Sequence, residues 1–310
     1  MIGQDTSGQG ANGVTVRVPA KVNVRLAVGA ARPDGFHDLA NVFLAVSLYD
    51  EVTATLAEGL TVSCEGPDAD KVPLDRTNLA ARAAELLAAR HGITPDVRLH
   101  IVKDIPVAGG MAGGSADGAG ALLACDALWG LGSSREELLE ICAELGSDVP
   151  FSLVGGAALG TGRGERLEVL PVGGTFHWVF AVADGGLSTP AVYGEFDRLT
   201  EGVEVPVPAA SPALLDALRT GDTTALAATL ANDLQPAALS LRPSLAATLA
   251  AGTAAGALAA LVSGSGPTTA FLVKDAESAE TVAAALTASG TCRTARTATS
   301  PAPGAVVLPG

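Results

Sequence analysis

The 310-residue sequence predicts an α+β fold in two parts. Strand-like and helix-like segments are mixed without regular βαβ alternation, which disfavours a doubly wound parallel sheet. A glycine-rich stretch near residue 110 runs from a strand straight into an apolar helix. A second series of strands and helices follows another Gly-rich segment at 155–164, which reads as a connector between the two halves.

The elements follow in order. Residues 1–13 read as a disordered tail. Val14, Val16 and Val18 alternate with Thr15 and Arg17, the period of a half-buried strand, and Val22–Val28 continues it. Arg32-Pro33-Asp34-Gly35 is a turn, and further strand-like runs lie at 42–48, 51–56 and 60–64. Apolar residues at helical spacing after Asn78 predict a helix over 78–90. Val97, Leu99 and Ile101 alternate as another strand, and helices are expected at 115–129 and 135–145. In the second half, Trp178–Ala183 is a buried strand, followed by helices at 211–219, 222–231 and 243–251. Strands at 258–262 and 269–273 flank Ser263-Gly264-Ser265-Gly266-Pro267, and a helix at 276–288 takes Asp275 as its N-cap. The expected division is 14–160, 161–298 and a flexible Pro/Gly-rich tail at 299–310.

Hydrophobic residues make up 48% and charged residues 17%, enough to bury a sizeable core and too apolar for a disordered chain. Aromatics are only 4%, so that core rests on Ala, Val and Leu. The net charge of -14 argues against nucleic acid or an anionic membrane as partner. An anionic small-molecule substrate must therefore be held by local donors. The four cysteines have neither disulfide nor zinc spacing, no run reaches the length of a membrane span, and the start lacks a signal pattern. A cytoplasmic setting is expected, with no metal ligand set of the protein's own and a monomer or homodimer as the assembly.

Chemistry concentrates in three places. The stretch Pro106-Val107-Ala108-Gly109-Gly110-Met111-Ala112-Gly113-Gly114-Ser115-Ala116 opens a helix, where free N–H groups and the dipole favour a phosphate. It is neither a P-loop nor the dinucleotide pattern GxGxxG, and a flexible connector is the plain alternative. Lys21 is a lone cation inside an apolar strand pair, and Asp148 follows a helix end. Alone they read as a strand-end lysine and a turn residue; side by side they would suit charge neutralisation and proton acceptance. Gly160-Thr161-Gly162-Arg163-Gly164 reads as a turn.

The order Pro19-Ala20-Lys21-Val22-Asn23, Arg32-Pro33-Asp34-Gly35-Phe36-His37, the glycine loop, Gly146-Ser147-Asp148-Val149-Pro150-Phe151 and Ser263-Gly264-Ser265-Gly266-Pro267 resembles the GHMP small-molecule kinases. Within them it resembles the branch acting on a cytidine-diphosphate-linked methylerythritol. The resemblance implies an N-terminal α+β domain, a ferredoxin-like C-terminal domain, and ATP with Mg²⁺ as cofactors. It implies Asp148 as catalytic base, Lys21 as its partner, and Pro106–Ala116 as the triphosphate loop. Asn78 and Lys103 are expected to contact the nucleotide, Phe36 and Tyr193 to stack on cytosine, and His37 to hydrogen-bond it. Thr189 is expected near Tyr193, and Asn23 near the diphosphate or erythritol. The chain departs from the family pattern at Phe36, where Tyr is frequent, and at Ala112 and Ala116 in the loop. Gly118 and Gly120 are expected to loosen the first turns of the helix.

Overall fold

The computed structural model describes residues 13–107 and 109–309. Ala108 of the expected triphosphate loop, and all of the expected N-terminal tail but Gly13, lie outside the described residues. In chain order the elements are β1 (Val14–Ala31), β2 (His37–Leu56), β3 (Thr61–Glu65), α1 (Leu79–His91), β4 (Val97–Val102), α2 (Gly113–Trp129), α3 (Arg135–Leu145), α4 (Val149–Val154), β5 (Ala157–Thr161) and β6 (Arg166–Val169). Then come β7 (Phe176–Val182), α5 (Thr189–Leu199), α6 (Pro212–Thr220), α7 (Thr223–Thr229), β8 (Ala231–Asn232), α8 (Gln235–Leu241), α9 (Leu245–Ala254), β9 (Ala259–Val262), β10 (Thr269–Val273), α10 (Ala276–Ser289), β11 (Thr294–Ser300) and β12 (Val306–Val307).

The first sheet runs β12-β1-β2-β4-β3, with β5 on β2, β6 on β5, and β8 on β1. The period of two along β1 sorts its side chains: Val16, Val18, Ala20, Val22 and Val24 enter the core, and Arg17, Lys21, Asn23 and Arg25 intervene between them. Register shifts between Pro19 and Ala20 and between Asn23 and Arg25 bracket the Lys21–Asn23 stretch. Irregularities of this kind re-aim side chains.

Helix α2 is buried along most of its length, against β1, β2 and α1. Gly118 and Gly120 do not loosen it, correcting the expectation. A Cβ on Gly120 would lie 2.9 Å from methyls of both Val18 and Val52, and one on Gly118 would lie 3.2 Å from Leu79. The two glycines let the helix approach the sheet and α1 closely, and it begins at Gly113, two residues before the expected start.

The second sheet has the order β11-β7-β10-β9, all antiparallel. Read as strands one to four of a βαββαβ unit, that is the order four, one, three, two of a ferredoxin-like domain. Helix α10 seals one face with Ala279, Val282 and Leu286 against Val179, Phe271 and Val273. Asp275 caps it as expected, its carboxylate accepting from the Ser278 N–H at 2.9 Å. Three bidentate bridges join chain segments far apart: Arg25 to Asp233, Arg293 to Asp68, and Arg296 to Asp104.

Two expectations about chain organisation are corrected. The supposed connector at 155–164 holds β5, which pairs with β2 at Asn41–Leu44, so the first sheet continues through β6 and past residue 160. The supposed flexible tail at 299–310 folds back instead. Ser300 ends β11 and Ala302 is buried, its N–H donating to the Ala45 carbonyl at 2.9 Å; β12 then pairs with β1. A Pro/Gly-rich segment carries no side-chain periodicity, yet its backbone satisfies groups that β1 and β2 would otherwise leave open. Runs 42–48 and 51–56 form one continuous strand, β2. Helices α4 and α5 escaped the reading because Pro150 and Pro190 sit in their first turns, where proline lacks no needed hydrogen bond. Among the described residues, no helix is long and apolar enough to cross a membrane.

Candidate active site

A cleft of about 750 Å³ lies where the bracketed part of β1, the start of α2, the start of α4 and the 263–267 turn converge. It brings together Lys21, Asn23, Phe36, His37, Asp148, Thr189 and Tyr193, with Gly109, Gly110, Ala112, Gly113, Gly114 and Ser115 of the loop.

Lys21 is the best-buried cation of the cleft, 4% exposed. Its Nζ donates to Asn23 Oδ1 at 2.6 Å and to the Gly110 carbonyl at 2.9 Å, and lies 3.6 Å from Asp148 Oδ2. Burial pushes its ammonium below the ordinary lysine range, and the Asp148 carboxylate pulls it partly back up. Asn23 in turn donates to Asn41 Oδ1 at 2.7 Å, so a buried relay fixes the lysine from behind. Asp148 stands just before α4, a third exposed to the cleft.

The loop is held by the second half of the chain. Ser263 Oγ donates to the Gly110 carbonyl at 3.1 Å, and the Thr268 N–H donates to the Gly109 carbonyl at 3.2 Å. Gly110 has φ +78°, and a Cβ there would lie 2.1 Å from the Ser263 carbonyl oxygen. Only glycine fits both constraints. The Ser/Gly turn at 263–267 is therefore a brace for the loop and also a wall of the cleft. Ala112, the residue before α2, adopts φ +61° without being glycine. The first backbone N–H groups of α2 have no partner within the helix, as at any helix start, and Gly113, Gly114 and Ser115 border the cleft. Met111 and Ala116 are fully buried in the core, so their side chains do not line it.

Asn78 and Lys103 fall outside the main cleft. They line a neighbouring pocket of about 160 Å³ with Pro73, Val107 and Asp117, sharing Leu79 and Gly114 with the cleft. Asn78 caps α1, accepting from Ala80 N–H at 2.8 Å and donating to the Pro73 carbonyl at 2.7 Å. Lys103 bridges two buried carboxylates, hydrogen-bonding Asp50 and lying 2.9 Å from Asp117. Burial works to lower its charge affinity, but the two carboxylates raise it overall. Asp117 is pushed up to about 7, first by burial and also by Asp50, against the pull of Lys103. Pro106 lines neither space.

Phe36 is half exposed and carries the Arg163 guanidinium 5.1 Å above its ring. Arg163 belongs to the predicted turn, now the β5–β6 hairpin, and lines the cleft as a second local cation in this acidic chain. His37 is enclosed by Tyr193, Phe196 and Asp197 of α5. Burial, and secondarily Asp148, raises the Tyr193 phenol above its ordinary range, which keeps it neutral. Thr189 Oγ1 lies 2.9 Å from Ser265 Oγ, linking α5 to the brace. Asn41, Arg163 and Asp197 were not singled out from sequence. Only Arg163 carried a signal there, as a cation in a Gly-rich turn.

A buried ammonium, an adjacent carboxylate and a helix start bordering one cleft suit phosphoryl transfer. A family model described as the GHMP kinases N terminal domain matches residues 78–156, and one described as GHMP kinases C terminal matches 214–292. The chain is 81% identical to the 4-diphosphocytidyl-2-C-methyl-D-erythritol kinase of Streptomyces avermitilis, over 95% of this chain and 99% of that one. It is 61% identical to the kinase of that name from Thermobifida fusca, covering 95% and 98%. A crystal structure of 4-(cytidine 5'-diphospho)-2C-methyl-D-erythritol kinase matches with a TM-score of 0.75 at 32% identity, covering 92% of this chain and 98% of that one. Homoserine kinase from Cytophaga hutchinsonii shares the fold, with a TM-score of 0.75 at 19% identity over 99% and 100% of the chains. With both domain models matched and this identity over nearly its whole length, the chain belongs to the GHMP kinases, in their 4-diphosphocytidyl-2-C-methyl-D-erythritol kinase branch, and uses ATP on a small-molecule substrate.

Proposed function

We propose that this kinase transfers the γ-phosphoryl group of ATP to the 2-hydroxyl of 4-diphosphocytidyl-2-C-methyl-D-erythritol, giving the 2-phosphate and ADP, in the non-mevalonate route to isoprenoid precursors. The observation that carries the reading is the 3.6 Å approach of Lys21 to Asp148 beside the glycine loop. Asp148 takes the proton of the attacking hydroxyl as the bond to phosphorus forms. Lys21 offsets negative charge on the transferring group, and its own position is set by Asn23 and the Gly110 carbonyl. The N–H groups at the start of α2 hold the phosphates.

Among the described residues, no group of three or more His, Cys, Asp or Glu stands at metal-binding spacing. Mg²⁺ takes one or two protein oxygens and fills its shell with phosphate and water. Ser115 and Asp148 both border the cleft and would hold it. Bound there, the ion neutralises phosphate charge.

Phe36, Tyr193 and His37 are the residues for the cytosine, and Asn23 for the diphosphate or erythritol. The pocket at Asn78 and Lys103 is the place for the adenine, bounded by Leu79 and Val107. The protein works in the cytoplasm as a monomer or homodimer. The test is ADP release with ATP, Mg²⁺ and the cytidine substrate, beside mevalonate and homoserine, for wild type and Asp148→Asn. Turnover with the cytidine substrate alone, lost in the variant, is the expected result. Turnover with a control alone would overturn the substrate, and ATP binding without any turnover would overturn the activity.

A further inference from the structure

Phosphoryl transfer makes no use of Asp197, yet this carboxylate reaches into the substrate cleft from α5. Its Oδ1 lies 2.8 Å from His37 Nε2. Tyr193 and Asp197 are four residues apart, so one helix face presents a ring and a carboxylate together. The Tyr193 ring lies 5.0 Å from the imidazole at 35°, and Phe196 packs edge-on at 5.9 Å. The imidazole is thus held on three sides, and its side chain is 4% exposed.

The other ring nitrogen, Nδ1, has no protein partner among the described residues. It is also not sealed in: the fully buried, unpartnered side-chain atoms are Asp117 Oδ1, Thr268 Oγ1 and Thr269 Oγ1. His37 is itself one of the residues that line the cleft.

We infer that Asp197 is a positioning residue for base recognition: it accepts the Nε2–H of His37, fixes that tautomer, and leaves Nδ1 as an acceptor for the 4-amino group of the substrate's pyrimidine. The inference rests on the cytidine substrate proposed above. In neutral imidazole one nitrogen donates and the other accepts, and the bond made by one sets the state of the other. A cytosine amine completes the acceptor. The 4-keto oxygen of uracil places lone pair against lone pair in a buried site and is rejected.

Two readouts test this. The first is the ¹⁵N spectrum of His37 at pH 8 without substrate, assigned by comparison with His37→Gln. Nε2 should appear protonated and Nδ1 unprotonated in wild type, and Asp197→Ala should mix the tautomers. The second is turnover of the cytidine substrate against its uridine counterpart. Asp197→Ala should raise KM for the cytidine substrate about tenfold with a much smaller change in kcat, and narrow the cytidine-over-uridine preference by a similar factor. Asp197→Asn, whose amide oxygen still accepts the bond, should restore most of both. Asp197 is well exposed on its helix, so the alanine variant is expected to fold.

A proton on His37 Nδ1 in wild type would overturn the inference. So would an alanine variant that leaves tautomer and base preference unchanged. If the wild type turns over neither nucleotide, the proposed substrate falls, and the tautomer measurement still decides whether Asp197 sets the imidazole.

Discussion

Lys21 Nζ stands 3.6 Å from Asp148 Oδ2 while donating to the Gly110 carbonyl at 2.9 Å, so one buried ammonium couples the carboxylate to the glycine loop. Residues that act as a unit lose activity together and not in proportion. Asp148→Asn should lower kcat by roughly 10²–10⁴, and Lys21→Met by roughly 10²–10³. The double variant should fall little below the worse single one. A full double-mutant cycle on ADP release checks this, and multiplicative losses would separate the two roles.

The same contact governs how Lys21 titrates. Burial places its midpoint below the lysine reference of 10.5, and Asp148 opposes that shift. Removing the carboxylate charge should therefore lower the midpoint further. Titrating Lys21 by NMR in wild type and Asp148→Asn is the measurement; an upward move in the variant would reverse the assigned sign.

Two positive φ angles in the loop make opposite predictions. Gly110→Ala meets both a left-handed backbone and the Ser263 carbonyl 2.1 Å away, and should cost at least about 2 kcal/mol while weakening ATP binding. Ala112 already bears the strain of φ +61°, so Ala112→Gly should be neutral or stabilising by up to about 1 kcal/mol. Denaturant unfolding of the two variants compares them directly.

Asp117 affects stability through its raised pKa. The folded state keeps this proton up to about pH 7, whereas the unfolded chain has lost it above about pH 4, near the reference of 3.8. The unfolded state binds fewer protons across that window, so the group's contribution to stability falls as pH rises through it. Relative to wild type, Asp117→Asn should therefore gain stability as the pH rises from 4 to 7. Unfolding curves at several pH values give the slope, and a constant offset would mean that Asp117 does not titrate there.

Tyr193 both walls the cleft and packs on His37 at 5.0 Å. A base–aromatic contact contributes about 1–3 kcal/mol, so Tyr193→Ala should raise KM for the cytidine substrate roughly tenfold or more. Its effect on kcat should be much smaller, and an unchanged KM would remove Tyr193 from the binding wall.

Much of the molecule was legible from local pattern. The alternation at Val14–Val18 and Val97–Ile101 marks strands because neighbouring side chains must point to opposite faces. Asn78 and Asp275 announce helix starts because their side chains satisfy orphan N–H groups within three residues. The glycine loop, Lys21 and Asp148 were visible as residue types and spacings, and the cleft does gather them. All of these signals arise within a few residues of chain.

Tertiary structure decided which polar groups meet. Lys103 lines the pocket proposed for the adenine, and its ammonium is held there by Asp50, 53 residues away, and by Asp117. His37 finds Asp197 across 160 residues, and Asn23 finds Asn41 only through the pairing of β1 with β2. Residues 300–309, without periodicity of their own, are ordered by carbonyls and N–H groups that other strands leave free. A strand's period tells which residues share a face, but partners depend on register, and a slip of one residue exchanges the faces. Register is set by packing of the whole sheet against α2 and the second domain, so local sequence determines the elements and long-range packing selects the contacts that make a site.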